Sequence, residues 1–191
     1  FVAARAGLVR AQAWLIRTGE ETDTMPAWTS LDSLRRLAPD APEVSLAEAY
    51  YRYYAHADFE GALAPAQDYR RRVPGDAEGW QVDGWLLRRV GRWEESTAAQ
   101  RQGAQLDPLS PVVVWNLAVN HRRQRRYGES LSLFETAATA APENQQIKLH
   151  WLLTILYGRG DLDAARRLVA DMRSTSPPDA TAMAEYWVSM L

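Results

Sequence analysis

Catalytic chemistry has few bearers in this sequence, whereas arginine and tryptophan are plentiful. There is no cysteine, and the histidines are His56, His121 and His150. No two histidines stand at the i, i+4 spacing of a zinc-binding helix. His56 and Asp58 fall in a short break, where contacts to helix ends explain them better than acid–base work does. No strand pattern leads into a glycine-rich phosphate loop. The reading is a protein that is not an enzyme and needs no cofactor or metal. Lys148 is the only lysine, so the other 21 basic residues are arginines, and eight Trp and eight Tyr stand against three Phe. Arginine, tryptophan and tyrosine are the types that carry most of the energy at protein interfaces.

The rest of the composition narrows the partner. Hydrophobic residues make up 47% and charged residues 24%, as in folded chains and unlike disordered ones. A net charge of −2 disfavours duplex DNA as a whole-domain partner, and nucleic acid in general is not expected. No stretch reaches the roughly 20 apolar residues of a membrane span. Arg5, Arg10 and Arg17 interrupt any signal-peptide core near the start. The expected compartment is the cytoplasm, with the periplasm as the alternative if an export signal or anchor lies elsewhere. A chain that opens on Phe1 and closes on Leu191 in an apolar run reads as a piece of a longer or processed polypeptide.

The elements that must position these side chains recur with a fixed period. Five proline-bearing segments, LAPDAPE, VPGDAEG, LDPLSPV, APENQQI and SPPDATA, place Pro39, Pro74, Pro108, Pro142 and Pro177 at gaps of 35, 34, 34 and 35 residues. Each interval holds one helical-period stretch, a short break and a second helix that runs to the proline. Proline cannot continue a helix, so it sets the stop. Each break carries a large residue (Phe59, Trp93, Tyr127, Leu162) three positions before a small one (Ala62, Ser96, Ser130, Ala165). The small residue lets two helices approach, and the large one fills the space beside the turn.

This pattern resembles the tetratricopeptide repeat, in which Trp, Leu-Gly, Tyr, Ala, Phe, Ala and Pro recur in 34-residue hairpins. Trp80, Gly84, Gly91, Trp93 and Pro108 match one repeat. Leu117, Ala118, Tyr127, Phe134, Ala137 and Pro142 match the next, and Leu149, Leu152, Gly160, Leu162, Ala165 and Pro177 the one after. The resemblance implies an all-α fold, a right-handed superhelix of about five hairpins plus a terminal helix. The expected repeats are 43–76, 77–110, 111–145 and 146–179, with a degenerate first repeat at 1–42 and a terminal or capping helix at 180–191. Helices are expected at 2–18 and 27–38 in the first. Tyr186, Trp187 and Met190 would be left exposed at the end, where self-association is the alternative to a cap. The segment LDPLSPVVVWNLA with RRYGESLSLFETA is also similar to arrays attached to bacterial winged-helix regulators and receptor-type kinases.

Two positions depart from the pattern. Pro65 falls inside a second helix, which predicts a bend or a late helix start. Asp83 stands where a buried leucine is usual; if buried it needs a partner, for which arginine is the natural choice, and otherwise it is exposed. Trp80 and Trp93 are expected in the core.

The resemblance implies a concave groove lined by the first helix of each repeat. The expected lining is Tyr51 and Tyr54 (with Ala47 and Ala55), then Gln81, Trp85, Arg88 and Arg89. Trp115, Asn116, Val119, Arg122 and Arg123 follow, then His150, Trp151, Thr154 and Tyr157. Such a surface suits a protein or peptide segment that carries carboxylates and apolar groups, because Arg forks hold carboxylates bidentately. No lysine lies among these positions, which disfavours the lysine- and asparagine-based clamp of chaperone-binding members. The expected function is a non-catalytic docking module in a larger bacterial regulator or scaffold. A sensor of a small ligand or peptide, and a self-assembly module, are the alternatives.

Overall fold

The computed structural model describes residues 1–175 and 178–189, with the side chains at 159, 178–180 and 187 outside that description. Among the described residues the chain forms eleven α-helices and one π-helical segment, with no strand. They are α1 (Val2–Thr18), α2 (Met25–Leu37), α3 (Pro42–Tyr50) continued by the π segment Tyr51–Ala55, α4 (Phe59–Arg72), α5 (Ala77–Arg89) and α6 (Trp93–Leu106). Then come α7 (Pro111–Arg123), α8 (Tyr127–Ala140), α9 (Gln145–Arg159), α10 (Leu162–Thr175) and α11 (Pro178–Ser189). Consecutive helices pack as hairpins, and the chain divides into two compact units, Phe1–Leu106 and Asp107–Leu191. No helix among the described residues is long and apolar enough to cross a membrane.

The punctuation follows the residues. Leu37, Arg72, Leu106 and Ala140 end helices two positions before Pro39, Pro74, Pro108 and Pro142. Pro177 lies outside the described residues. Asp58, Asp76 and Asn144 accept hydrogen bonds from the first-turn amides of α4, α5 and α9, the donors that a helix start otherwise leaves unpaired. Gly160 (φ 62°) ends α9 in the left-handed region that a side chain disfavours. Ala62, Ser96, Ser130 and Ala165 are all fully buried. The Ser96 and Ser130 hydroxyls donate to the carbonyls of Gly84 (2.7 Å) and Ala118 (2.8 Å), the same tie in successive hairpins.

In the first unit, Val9, Leu31 and Leu34 fill the α1–α2 hairpin, while Tyr50, Tyr53, Tyr69, Val82 and Leu86 fill the space among α3, α4 and α5. In the second, Phe134 and Ile147 pack with Val114 and Ala118, and Leu152, Ile155 and Met172 form the core under α10 and α11. Lys148 is buried but not isolated, since its ammonium reaches Asp171 (2.6 Å) and Thr175 (3.1 Å).

The late start offered as one outcome of Pro65, and the placing of Trp80 and Trp93 in the core, need correction. Helix α4 begins at Phe59 with Pro65 inside it, so the late start does not occur. Asp58 caps the helix, and Gly61, the residue whose carbonyl the ring faces, carries no side chain. The irregularity lies one helix earlier, where Tyr51–Ala55 widens into a π turn. Trp80 and Trp93 are half-buried and do not belong to the fully enclosed core. The Trp80 indole N–H donates to the Pro74 carbonyl (2.8 Å), and Arg70 lies over its ring, which holds it across the turn.

Asp83 is fully buried and does have an arginine partner. Arg70 Nη1 lies 3.0 Å from Oδ2, and the Gln67 amide donates to Oδ1 at 3.3 Å. Arg70 is not directed at Oδ2 as a hydrogen bond, so the pairing is electrostatic at that oxygen. Burial pushes the Asp83 carboxyl above its ordinary range, and Arg70 offsets part of that rise.

Gly158 marks a very close helix approach in the second unit. A Cβ there would lie 2.7 Å from Tyr127 Cβ and 2.8 Å from Cγ, atoms close to the backbone that cannot swing away. Gly158→Ala is therefore expected to lower stability by about 1–3 kcal/mol through overpacking. Chemical denaturation followed by tryptophan emission measures it; an unchanged midpoint would show that α8 and α9 are not held this closely.

Candidate functional site

The first unit gathers aromatic side chains on α3, its π continuation and α5. Tyr54 stacks on Tyr50 (5.6 Å, 16°), and Trp85 packs against Tyr50 (6.5 Å) and Tyr53 (6.3 Å). The π turn places the adjacent residues Tyr53 and Tyr54 in one cluster at 4.8 Å. Arg89, which is exposed, lies over both Tyr53 and Phe59. On the other side, helix α1 contributes Trp14, edge-on to Tyr54 at 5.2 Å, and Arg10, over the Tyr50 ring. Arg10 also pairs with Glu78, which accepts from the Tyr50 hydroxyl at 2.6 Å. Burial first, and then the Glu78 carboxylate, hold the Tyr50 phenol well above its ordinary pKa. Burial likewise pushes Tyr54 up to about 12. A cleft of about 210 Å³ opens beside this group, lined among others by Arg10, Glu43, Leu46, Tyr69 and Glu78.

The second unit brings Trp115 and Arg122 from α7 together with His150 from α9. The Trp115 ring lies 5.5 Å from the His150 ring, which is stacked on Phe134 (6.3 Å, 8°). Arg122 Nη2 lies 2.9 Å from His150 Nδ1. Arginine only donates, so Nδ1 is the acceptor and the imidazole proton sits on Nε2. Burial lowers the Arg122 pKa first, and the neighbouring Arg123 lowers it further. Among the described residues no carboxylate pairs with the Arg122 guanidinium.

The residues expected in the groove divide by exposure. Tyr51, Gln81, Asn116, Val119 and Thr154 are buried. Tyr51 packs on Trp28 and His56, and the Asn116 and Thr154 side chains donate to carbonyls one turn back in their own helices. Tyr54, Trp85, Arg88, Trp115, Arg122, His150 and Trp151 are half-buried, and Arg89, Arg123 and Tyr157 are exposed. Trp151 also packs between the two cores of its unit.

Part of this set shares an unusual property. Among the described residues, the indole nitrogens of Trp85 and Trp115 and Nε of Arg122 are buried N–H donors with no acceptor. Buried N–H groups without partners are rare and costly. All three lie on first helices and at positions expected to line the groove.

Arg10, Trp14 and Glu78 join the cluster without having been expected there. Glu78 stands seven residues before Trp85, two turns back on the same helical face, which was a usable signal. Arg10 and Trp14 share a face of α1 at i, i+4, but nothing in their spacing shows which helix they meet.

No protein-family model matches the sequence, and no curated protein matches it. Solved structures do match in three dimensions. A thermophilic TPR protein of Thermus thermophilus aligns over 98% of this chain and 100% of its own, with a TM-score of 0.77 at 15% identity. PilF of Pseudomonas aeruginosa aligns over 98% of this chain and 83% of its own, with a TM-score of 0.75 at 16% identity. The MamA protein aligns over 90% and 91%, with a TM-score of 0.67 at 13% identity. The turn prolines, the small residues between paired helices and these superpositions agree: the chain has the all-α, tetratricopeptide-repeat-like fold.

Proposed function

We propose that this chain is a non-catalytic docking module that holds a segment of another protein on the aromatic and arginine-bearing first helices of its hairpins. The observation that carries this reading is that acceptor-less buried donors recur on first helices, Trp85 in the first unit and Trp115 and Arg122 in the second. Hydrogen bonds left unmade inside a protein are destabilising, and an acceptor from a partner would complete them. Arg89 on α5 in the first unit, and Arg123 on α7 and Tyr157 on α9 in the second, are exposed on first helices, where they offer polar contacts. The larger-regulator setting rests on the resemblance of the LDPLSPVVVWNLA segment alone.

The test compares native-lysate proteins retained by the immobilised chain and by Trp85→Ala/Arg122→Ala. Truncating a buried interface anchor costs about 2 kcal/mol or more. A protein held by the parent and lost by a cooperatively melting double variant is the expected result. Equal retention by both removes the first helices as the docking site.

A second reading, self-association, is favoured by α1. Ala4, Leu8, Ala11 and Leu15 recur at intervals of three and four along one exposed face, the pattern that packs against another helix. Tyr186 is exposed on α11, whereas the Trp187 side chain and Met190 lie outside the described residues. Light scattering that reports a monomer at every accessible concentration excludes this reading.

A further inference from the structure

The cleft of about 210 Å³ in the first unit carries a negative charge that its own lining does not balance. We propose that this cleft, formed by α1, α3, α4 and the start of α5, binds an organic monocation headed by a guanidinium. Glu43 and Glu78 supply the counter-charges, and the Tyr50 and Tyr69 rings form two of the walls. The inference stands apart from the docking reading, since Arg10, Glu43, Tyr69 and Glu78 lie outside the positions that the repeat pattern marks.

The charges decide the sign of the ligand. Arg10 brings one positive charge to the lining, and Glu43 and Glu78 bring two negative ones. Arg10 and the Tyr50 hydroxyl both reach Oε1 of Glu78, which leaves Oε2 of that carboxylate able to accept. Glu43 is half-buried, and among the described residues its carboxylate makes no ion pair or hydrogen bond. One further positive charge balances the set, whereas an anion is repelled and a neutral molecule leaves the imbalance in place. No group of three or more metal ligands occurs among the described residues, so an organic cation fits better than a metal ion.

Arg10 shows which cation the walls accept. Its guanidinium lies 5.6 Å from the centre of the Tyr50 ring while it pairs with Glu78. An aromatic face beside a carboxylate is the setting that suits a guanidinium. Both phenols are already committed, Tyr50 to Glu78 (2.6 Å) and Tyr69 to Asp76 (2.5 Å), so they offer a ligand their rings. Ala6, Leu46 and Ala47, all buried, make the remaining wall apolar, which suits a hydrocarbon chain behind the head group. The cleft is smaller than the roughly 300 Å³ at which drug-sized pockets begin, so that chain is short. Gly7 lines the same cleft, and a Cβ there would meet no atom within 4 Å.

Calorimetric titration of the intact chain with n-butylguanidinium at constant ionic strength tests the assignment. Sodium butyrate and sodium chloride are the parallel titrants, and N-acetylarginine methylamide presents the same head group on a peptide backbone. One saturable site is expected for butylguanidinium and none for butyrate. Glu43→Gln should weaken binding about tenfold or more with little change in melting temperature, because its carboxylate pairs with no other side chain. Gly7→Leu should abolish binding while the melting temperature holds or rises, since leucine favours a helix more than glycine does. Arg10→Ala should tighten binding, because it removes the like charge that shares the walls. Equal affinity for the arginine derivative identifies the ligand as an arginine side chain of a protein, and tenfold weaker affinity identifies it as a free small molecule.

The assignment is overturned by heats that do not saturate, by an equal response to butyrate or sodium chloride, or by unchanged affinity in Glu43→Gln. Binding that survives Gly7→Leu places the cation elsewhere and also overturns it. A lower melting temperature in Gly7→Leu does so too, because the space beside Gly7 is then not open. Weaker binding in Arg10→Ala has the same force, since Arg10 would then hold the ligand and not compete with it.

Discussion

Replacing Arg70 by alanine is expected to cost on the order of 3 kcal/mol at neutral pH, because it strands a buried carboxylate. Asp83 has no exposed side-chain surface, and Arg70 at 3.0 Å is its charge partner. The remaining ligand, Gln67, makes one 3.3 Å contact. The loss is expected to depend on pH, with a sign fixed by the raised folded pKa. Such a group contributes most to stability below the ordinary value of 3.8, and that contribution fades as pH rises through the folded value. Without Arg70 the folded value climbs further, so Asp83 protonates at higher pH. The deficit of Arg70→Ala should therefore shrink steadily on acidification towards pH ~4. Denaturant midpoints across that range measure it. A deficit independent of pH would mean that Arg70 acts through its stacking on Trp80 and not through Asp83.

Phe134→Ala is expected to lower stability by about 3–5 kcal/mol, the range for deleting a fully buried aromatic ring. Phe134 has no exposed surface and packs with Val114, Ala137 and Ile147 at the α7–α8–α9 junction. The ring also sets His150, which lies nearly parallel to it. The same substitution should thus disorder the Arg122–His150 contact even at temperatures where the unit remains folded. Phe134→Leu, which keeps most of the volume but not the ring face, separates the two roles. It should recover much of the stability while leaving the His150 ring signal altered. Recovery of both would show that His150 needs only volume beneath it.

The period of the fold was legible because its causes are local. Prolines 34 or 35 residues apart stop helices by their own covalent geometry, and the small residues between paired helices are set by contact distance. The caps at Asp58, Asp76 and Asn144 are equally local. The π turn was not legible. It arises where Tyr50 occupies a position at which other hairpins carry Gly84 or Ala118, and bulk at a close approach is a matter of tertiary packing.

The side-chain clusters of the two units, taken one at a time, were legible in part for the same reason. Trp85, Trp115 and Arg122 follow from helical spacing within the repeat, and they carry the unmade hydrogen bonds. Thr154 and Asn116 share that spacing but lie inside, because their short polar side chains bond back to their own helices. A helical wheel cannot distinguish a residue at the edge of a face from one just beneath it. The pairing of Arg10 with Glu78 joins residues far apart in sequence, which the repeat pattern does not encode.

Under the proposed function, a protein segment docks on the first helices and not on the second. A photo-crosslinking amino acid placed singly at Arg123 or Tyr157, exposed on the first helices α7 and α9, reads this in native lysate. The controls are Ala98 and Ala140, which are exposed on the second helices α6 and α8. One discrete adduct is expected from each first-helix position, lost when Arg122→Ala is combined with Trp85→Ala, and none from the controls. Adducts from Ala98 and Ala140 with none from Arg123 or Tyr157 would contradict it.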